Sequence, residues 1–336
     1  MKKSLLVALV MIMAFAGLSA NGQQDTETST TNETIVLRYG EVNPNDHPVT
    51  LGANKFADLA AEKSGGRIKI TVYPSSQLGD QSTMIQGTQM GAIDMVRLNP
   101  SFLVDMGLKD MQVFGLPYLF NDLGHARKAM DSDFGTDFLG KIDTAKLKMI
   151  GLGYFLETPR NYFFSEKAVT SVADMKGLKV RVPQSEIFMD TARAFGASPT
   201  PIAYSELYTA LQTGVVDGAE NPIAGYYANK FYEVGGNYTF DGHDLAPSIV
   251  VFSEITWSKL SDKDHAILRE AFKEAQAWYR EYLDGETEKA IQDMRDRGIN
   301  FYEVDDISEW QDAVAPLYKK YGAGFENYVD EIRAIN

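Results

Sequence analysis

The chain has 336 residues, 44% of them hydrophobic and 23% charged, with a formal net charge of −14. That length suits one large or two ordinary domains of an ordinary globular protein. The negative charge argues against nucleic acid or anionic lipid as a partner, and the absence of cysteine excludes disulfides, a thiolate nucleophile and zinc–cysteine sites.

Lys2 and Lys3, the apolar run 5–16 and the small residues of 18–20 (LSA) predict a signal peptide over 1–20. The run is shorter than the ~20 apolar residues that span a bilayer. Asn21 stands where a lipoprotein would carry cysteine, so no lipid anchor is expected. Cleavage removes Lys2 and Lys3 and takes the charge from −14 to −16, so an anionic ligand needs a local cluster of arginines. Residues 21–33 (NGQQDTETSTTNE) read as a disordered tether.

Residues 35–39 predict a strand. Asn45 or Asp46 can cap a helix that starts near Pro48, turns Phe56, Leu59 and Ala60 inward and stops at Gly65 and Gly66. Ile68, Ile70 and Val72 alternate as the next strand, which makes a βαβ crossover with parallel strands. A second unit follows, with a helix near 80–90 and a strand at 93–96. The apolar run 147–155 predicts a central strand covered on both faces, and 158–164 opens a second lobe. Leu178, Val180 and Val182 then alternate with Lys179 and Arg181 up to Pro183, a half-buried strand. Phe188, Ala192 and Phe195 keep helical spacing up to Gly196, and 204–214 forms a short helix stopped by Gly214. Together these make a doubly wound unit. The strand 248–255 returns to the first lobe. A long helix follows, with Ser261 and Asp264 as its capping box and an apolar rhythm from Ile267 to Met294. Some ~35 residues would reach ~50 Å, enough to underlie both lobes with a bend near Gly285. A strand at 299–304 and a helix at 310–321 close the fold.

Open α/β sheets place ligands at strand ends. Glu41, His47, Arg97 and Asn99 lie between strand ends of the first lobe, and Arg181 and Gln184 close a strand of the second. A planar guanidinium matches a carboxylate with two parallel N–H donors. Each candidate also has a plainer reading: His47 as a cap, Arg97 and Arg160 as salt-bridge partners, Tyr204 as a core residue, Asn221 as an Asx-turn. There is no GxSxG, HExxH, P-loop or calcium loop. The histidines at 47, 125, 243 and 265 have no metal-ligand spacing. No catalytic residue, metal or cofactor is expected.

The segments 176–183 (KGLKVRVP), 196–201 (GASPTP) and 210–222 (ALQTGVVDGAENP) resemble the signature of the solute-binding subunits of tripartite ATP-independent periplasmic (TRAP) transporters, the dicarboxylate-binding-protein type. So, in family order, do 61–67 (AEKSGGR), 73–79 (YPSSQLG), 91–94 (GAID), 116–120 (LPYLF) and 230–234 (KFYEV). The resemblance covers roughly residues 35–330. It implies a two-lobed periplasmic binding protein of α/β class, with a mixed, mostly parallel sheet in each lobe and a long helix spanning both. The expected division is 34–157 with 247–284 as the first lobe, 158–246 with 285–325 as the second, and 326–336 as a C-terminal tail. It also implies that Arg181 pairs with a ligand carboxylate, that Asn221 bonds the same group, that Arg160 reaches the ligand and that Tyr204 stands beside it.

The expected partners are a small organic acid and TRAP membrane permease subunits, in the periplasm. A dicarboxylate wants two cationic ends; a sugar acid wants one carboxylate clamp and several hydrogen-bonding groups. A carboxylate such as Glu41, with Asn99, Gln184 and Glu220, would accept hydroxyl protons and repel a second ligand carboxylate. The sequence therefore leans to a uronate or similar sugar acid. The alternatives are a C4-dicarboxylate or other carboxylate and, from other classes, an enzyme acting on acidic sugars or a sensory protein presenting its ligand to a receptor.

Overall fold

The computed structural model describes residues 33–335. The expected signal peptide and all but the last residue of the expected tether lie outside the described residues. The strands, in chain order, are β1 (Ile35–Gly40), β2 (Ile68–Tyr73), β3 (Met95–Leu98), β4 (Met149–Phe155), β5 (Arg160–Phe164), β6 (Lys179–Val182), β7 (Ser198–Pro201), β8 (Gly218–Pro222), β9 (Asn237–Phe240), β10 (Ser248–Ser253) and β11 (Asn300–Glu303). They form two sheets, ordered β2-β1-β3-β10-β4 and β11-β9-β5-β8-β6-β7, as expected of a two-lobed α/β protein.

Each sheet is parallel except for one strand, β10 in the first and β5 in the second. Both exceptions follow a crossing of the chain, from β4 into β5 and from β9 into β10. Forward strands end at the cleft, so a strand that begins there must run the other way. Pro199 and Pro201 sit in β7, at the edge of its sheet, where missing N–H donors cost least.

The apolar run at 147–155 does form a strand, but β4 is an edge and not the centre. Its residues are apolar because helices cover it: the helix Asp133–Thr144 packs on it, and so does the helix Asp262–Asp296. At Gly153 a Cβ would run into the ring of Phe272, so only glycine lets the long helix lie this close.

That helix has 35 residues and the expected capping box of Ser261 and Asp264. Its first two thirds bury Ile267, Ala271, Phe272, Ala275 and Tyr279 against the first sheet. Its last turns place Ile291 and Met294 in the core of the second sheet, with Phe163, Tyr226 and Tyr238. Gly285 lies within it without interrupting it. The chain ends in the helices Ile307–Tyr321 and Glu326–Ala334. Residues expected as a tail thus form a helix with Val329 and Ile332 buried. Trp310 packs against Phe195 at a tilt, with ring centroids 4.8 Å apart. The backbone oxygen of Tyr321 accepts from Gln112 Nε2 (2.7 Å) while its hydroxyl donates to Asp190 (2.6 Å).

The helix Pro48–Lys63 is capped by His47, not by Asn45 or Asp46. The Val49 N–H donates to His47 Nδ1 (3.1 Å), which leaves the ring proton on Nε2. The ring is buried, and burial, reinforced by the nearby Arg97 charge and opposed by Glu41, lowers its pKa from 6.5 to about 3. The unfolded chain therefore binds a proton that the folded chain refuses. Stability from this residue is complete above about pH 6.5 and falls as pH drops toward 3. Asparagine keeps the cap without the titration. Between pH 7 and pH 4, wild type should lose roughly 3 kcal/mol more than His47→Asn, read from urea unfolding at each pH. Parallel losses in the two proteins would show that His47 is not held neutral.

Candidate functional site

A cleft opens where β1, β3, β4, β6 and β8 end and β5 and β10 begin. Of the residues expected at the site, Arg97, Asn99, Arg160, Arg181, Gln184, Tyr204 and Asn221 line it together. Glu41 and His47 do not. Both are buried behind the lining, His47 as a helix cap and Glu41 as the counter-ion of Arg97.

The three arginines differ in how their charge is met. Arg97 forms a fork with Glu41, Nε to Oε2 at 2.7 Å and the terminal nitrogen to Oε1 at 2.6 Å. Burial works against the Arg97 charge, but Glu41, with Glu157 helping, holds its pKa above the ordinary value. Arg160 is bidentate on Glu220, from Nε to Oε2 and from its terminal nitrogen to Oε1 (2.9 Å). Again burial opposes the charge, and Glu220 and Asp244 more than restore it. Glu220 is completely buried, with His243 Nε2 3.8 Å from the same Oε2 that accepts from Arg160 Nε. His243 in turn holds Asp241 through Nδ1 (2.6 Å).

Arg181 stands apart. It is 3% exposed, and among the described residues no carboxylate lies within 4 Å of it. Its Nε donates to the Ile202 carbonyl (2.9 Å), and its guanidinium lies 5.6 Å from the centre of the Tyr204 ring. Burial pushes its pKa down to about 10; Glu220 opposes this and Arg160 adds to it. It is still protonated at neutral pH. The alternation of β6 predicted a polar face for Arg181; the structure buries that face in the cleft.

Around this cation the polar groups are ordered. Asn221 donates to the Tyr204 hydroxyl (3.1 Å), as does Asn229 (2.8 Å). Gly225 leaves room for the Asn221 amide, because a Cβ there would run into Oδ1. Tyr204 is thus locked in a polar network. Asn99 caps the backbone of Ser101 (2.9 Å).

Sequence reasoning missed Glu157, which lines the cleft together with Asp80, Phe102 and Ser248. It follows the end of β4, the same signal that singled out Glu41 after β1, but the neighbouring 158–164 was read only as the opening of the next lobe. Among the described residues no group of three or more His, Cys, Asp or Glu is placed to hold a metal ion.

Residues 39–324 match the model of the family described as bacterial extracellular solute-binding protein, family 7. The C4-dicarboxylate-binding periplasmic protein of Rhodobacter capsulatus is 31% identical over 293 residues, 85% of this chain and 86% of that protein. Among solved structures, a TRAP periplasmic solute-binding protein from Bradyrhizobium sp., in complex with galacturonate, is 32% identical with a TM-score of 0.84, covering 88% of this chain and 98% of that one. One from Chromohalobacter salexigens, with bound glucuronate, is 30% identical with a TM-score of 0.85, covering 89% and 100%. The chain belongs to the family 7 bacterial extracellular solute-binding proteins, the substrate-binding proteins of TRAP transport.

Proposed function

We propose that this protein captures a sugar monocarboxylate, a hexuronate such as glucuronate or galacturonate, in the periplasm and delivers it to the membrane subunits of a TRAP permease. One observation carries the reading. Arg97 and Arg160 already have carboxylates, while Arg181 is a buried guanidinium that lacks one. A ligand carboxylate completes it, with Asn221 and Tyr204 beside it. Among the described residues the cleft thus offers one open cation, which suits one ligand carboxylate better than two. The relatives with bound galacturonate and glucuronate support the same class. A dicarboxylate is the second reading, favoured by the Rhodobacter capsulatus protein.

On this reading the crossings at 157–160 and 244–248 are the hinge, and the lobes are 34–157 with 247–284 and 158–246 with 285–325. Ligand bound by both lobes favours the closed form. Small-angle scattering should give a smaller radius of gyration with saturating D-glucuronate than without ligand; equal values at proven saturation would rule out closure.

Arg181→Ala leaves a bound carboxylate without its partner. The loss should be about 2–5 kcal/mol, or roughly 30- to several-thousand-fold in affinity for D-glucuronate by titration calorimetry. Arg181→Lys keeps the charge without the planar fork and should recover only part. The unliganded Arg181→Ala protein should melt no lower than wild type, because it buries one fewer unmatched charge. Unchanged affinity would remove Arg181 from the site, and a collapsed melting temperature would make it structural.

A further inference from the structure

Glu157 is the counterpart of Arg181. Its side chain is 15% exposed, it lines the cleft, and among the described residues no group donates a hydrogen bond to it. Its nearest nitrogen neighbours, the neutral His47 and the charged Arg97, stop short. His47 Nε2 is 3.4 Å from one oxygen and a terminal nitrogen of Arg97 is 3.6 Å from the other. Neither can come much closer: His47 is fixed as a helix cap, and Arg97 is engaged by Glu41 at 2.6 and 2.7 Å. A carboxylate has about four lone-pair sites to fill, so Glu157 keeps acceptor capacity turned to the cleft. Its charge is felt at Arg97, Arg160 and Tyr204, whereas the groups felt at Arg181 are Glu220, Arg160 and Tyr204.

Among the described residues the cleft therefore has a cation without a counter-ion at Arg181 and, separately, an acceptor without a donor at Glu157. We propose that Glu157 sets the ligand class: it accepts hydroxyl hydrogens from a ligand whose single carboxylate is held at Arg181, and it repels a second ligand carboxylate. Arg97 does not rescue a dicarboxylate, because Glu41 already occupies its fork. The role that sequence reasoning gave to Glu41 thus falls to Glu157. This inference rests on the sugar-acid reading and adds to it the residue that enforces the choice.

The test is titration calorimetry with D-glucuronate and with succinate on wild type, Glu157→Gln and Glu157→Asp, beside melting curves of the unliganded proteins. Glu157→Gln keeps the shape and removes the charge. It should weaken glucuronate binding roughly 10- to 100-fold, the usual range for a lost hydrogen bond to a charged group. Succinate binding should strengthen by about 10-fold or more as the like-charge repulsion disappears. Glu157→Asp keeps the charge and shortens its reach, so it should lose glucuronate affinity and still refuse succinate. An unchanged ratio of the two affinities in a folded Glu157→Gln protein overturns the inference and leaves the proposed function standing. Wild type that prefers succinate overturns both. If wild type binds neither acid, the uronate reading fails, and the succinate arm still decides: gained binding in Glu157→Gln supports the repulsive role, and no gain overturns it.

Discussion

The cost of burying a guanidinium organises this cleft. An arginine taken out of water is tolerated when a carboxylate meets its planar fork, and leaving one partner alone is what costs. Arg97 and Arg160 obey this rule, through Glu41 and Glu220. Arg181 breaks it. The protein spends two buried pairs on shaping the walls and leaves the third arginine for something from outside. Tyr204, Asn221 and Asn229 form a fixed network next to that cation, so the site is organised before any ligand arrives.

The topology explains why these groups meet. Forward strands deliver their C-terminal ends to the cleft, and each crossing strand starts there. One interlobe surface thereby collects Arg97 from β3, Arg160 from the start of β5, Arg181 from β6 and Asn221 from β8. The helix Asp262–Asp296 is keyed into both cores, and the helix Ile307–Tyr321 ties Asp190 and Gln112 together through its last residue, Tyr321. The walls are therefore set by elements outside the cleft as well as by the strands that reach it.

Much of this was legible in the sequence. The alternation around Arg181 placed it at a strand end, and the motif residues implied a two-lobed α/β fold. The capping box at Ser261 announced the long helix. What escaped depended on contacts distant in sequence. Glu41 and Arg97 are 56 residues apart, and no local pattern says that one neutralises the other. The sequence offered Asn45, Asp46 and His47 as caps before Pro48; only the ring nitrogen's acceptance of the Val49 N–H decides for His47. The run at 147–155 was read as central because it is apolar, but helices cover an edge strand as thoroughly as neighbouring strands cover a central one. The helix Glu326–Ala334 was hidden by its polarity, since only one narrow side, with Val329 and Ile332, is buried.

The reversed strand β10 also constrains how the molecule is made. It lies between β3 and β4, pairing Ile249 with Leu98 and Val250 with Gly153. A chain synthesised from its N-terminus has β1 to β4 in hand long before 248–253 exists, and until then its first sheet has a gap in the middle. Pairings across such sequence distances are slow to form because loop closure comes before any contact repays it. The first lobe, although it begins the chain, cannot close its sheet until 248–253 has been made, and the second sheet waits longer still for β11.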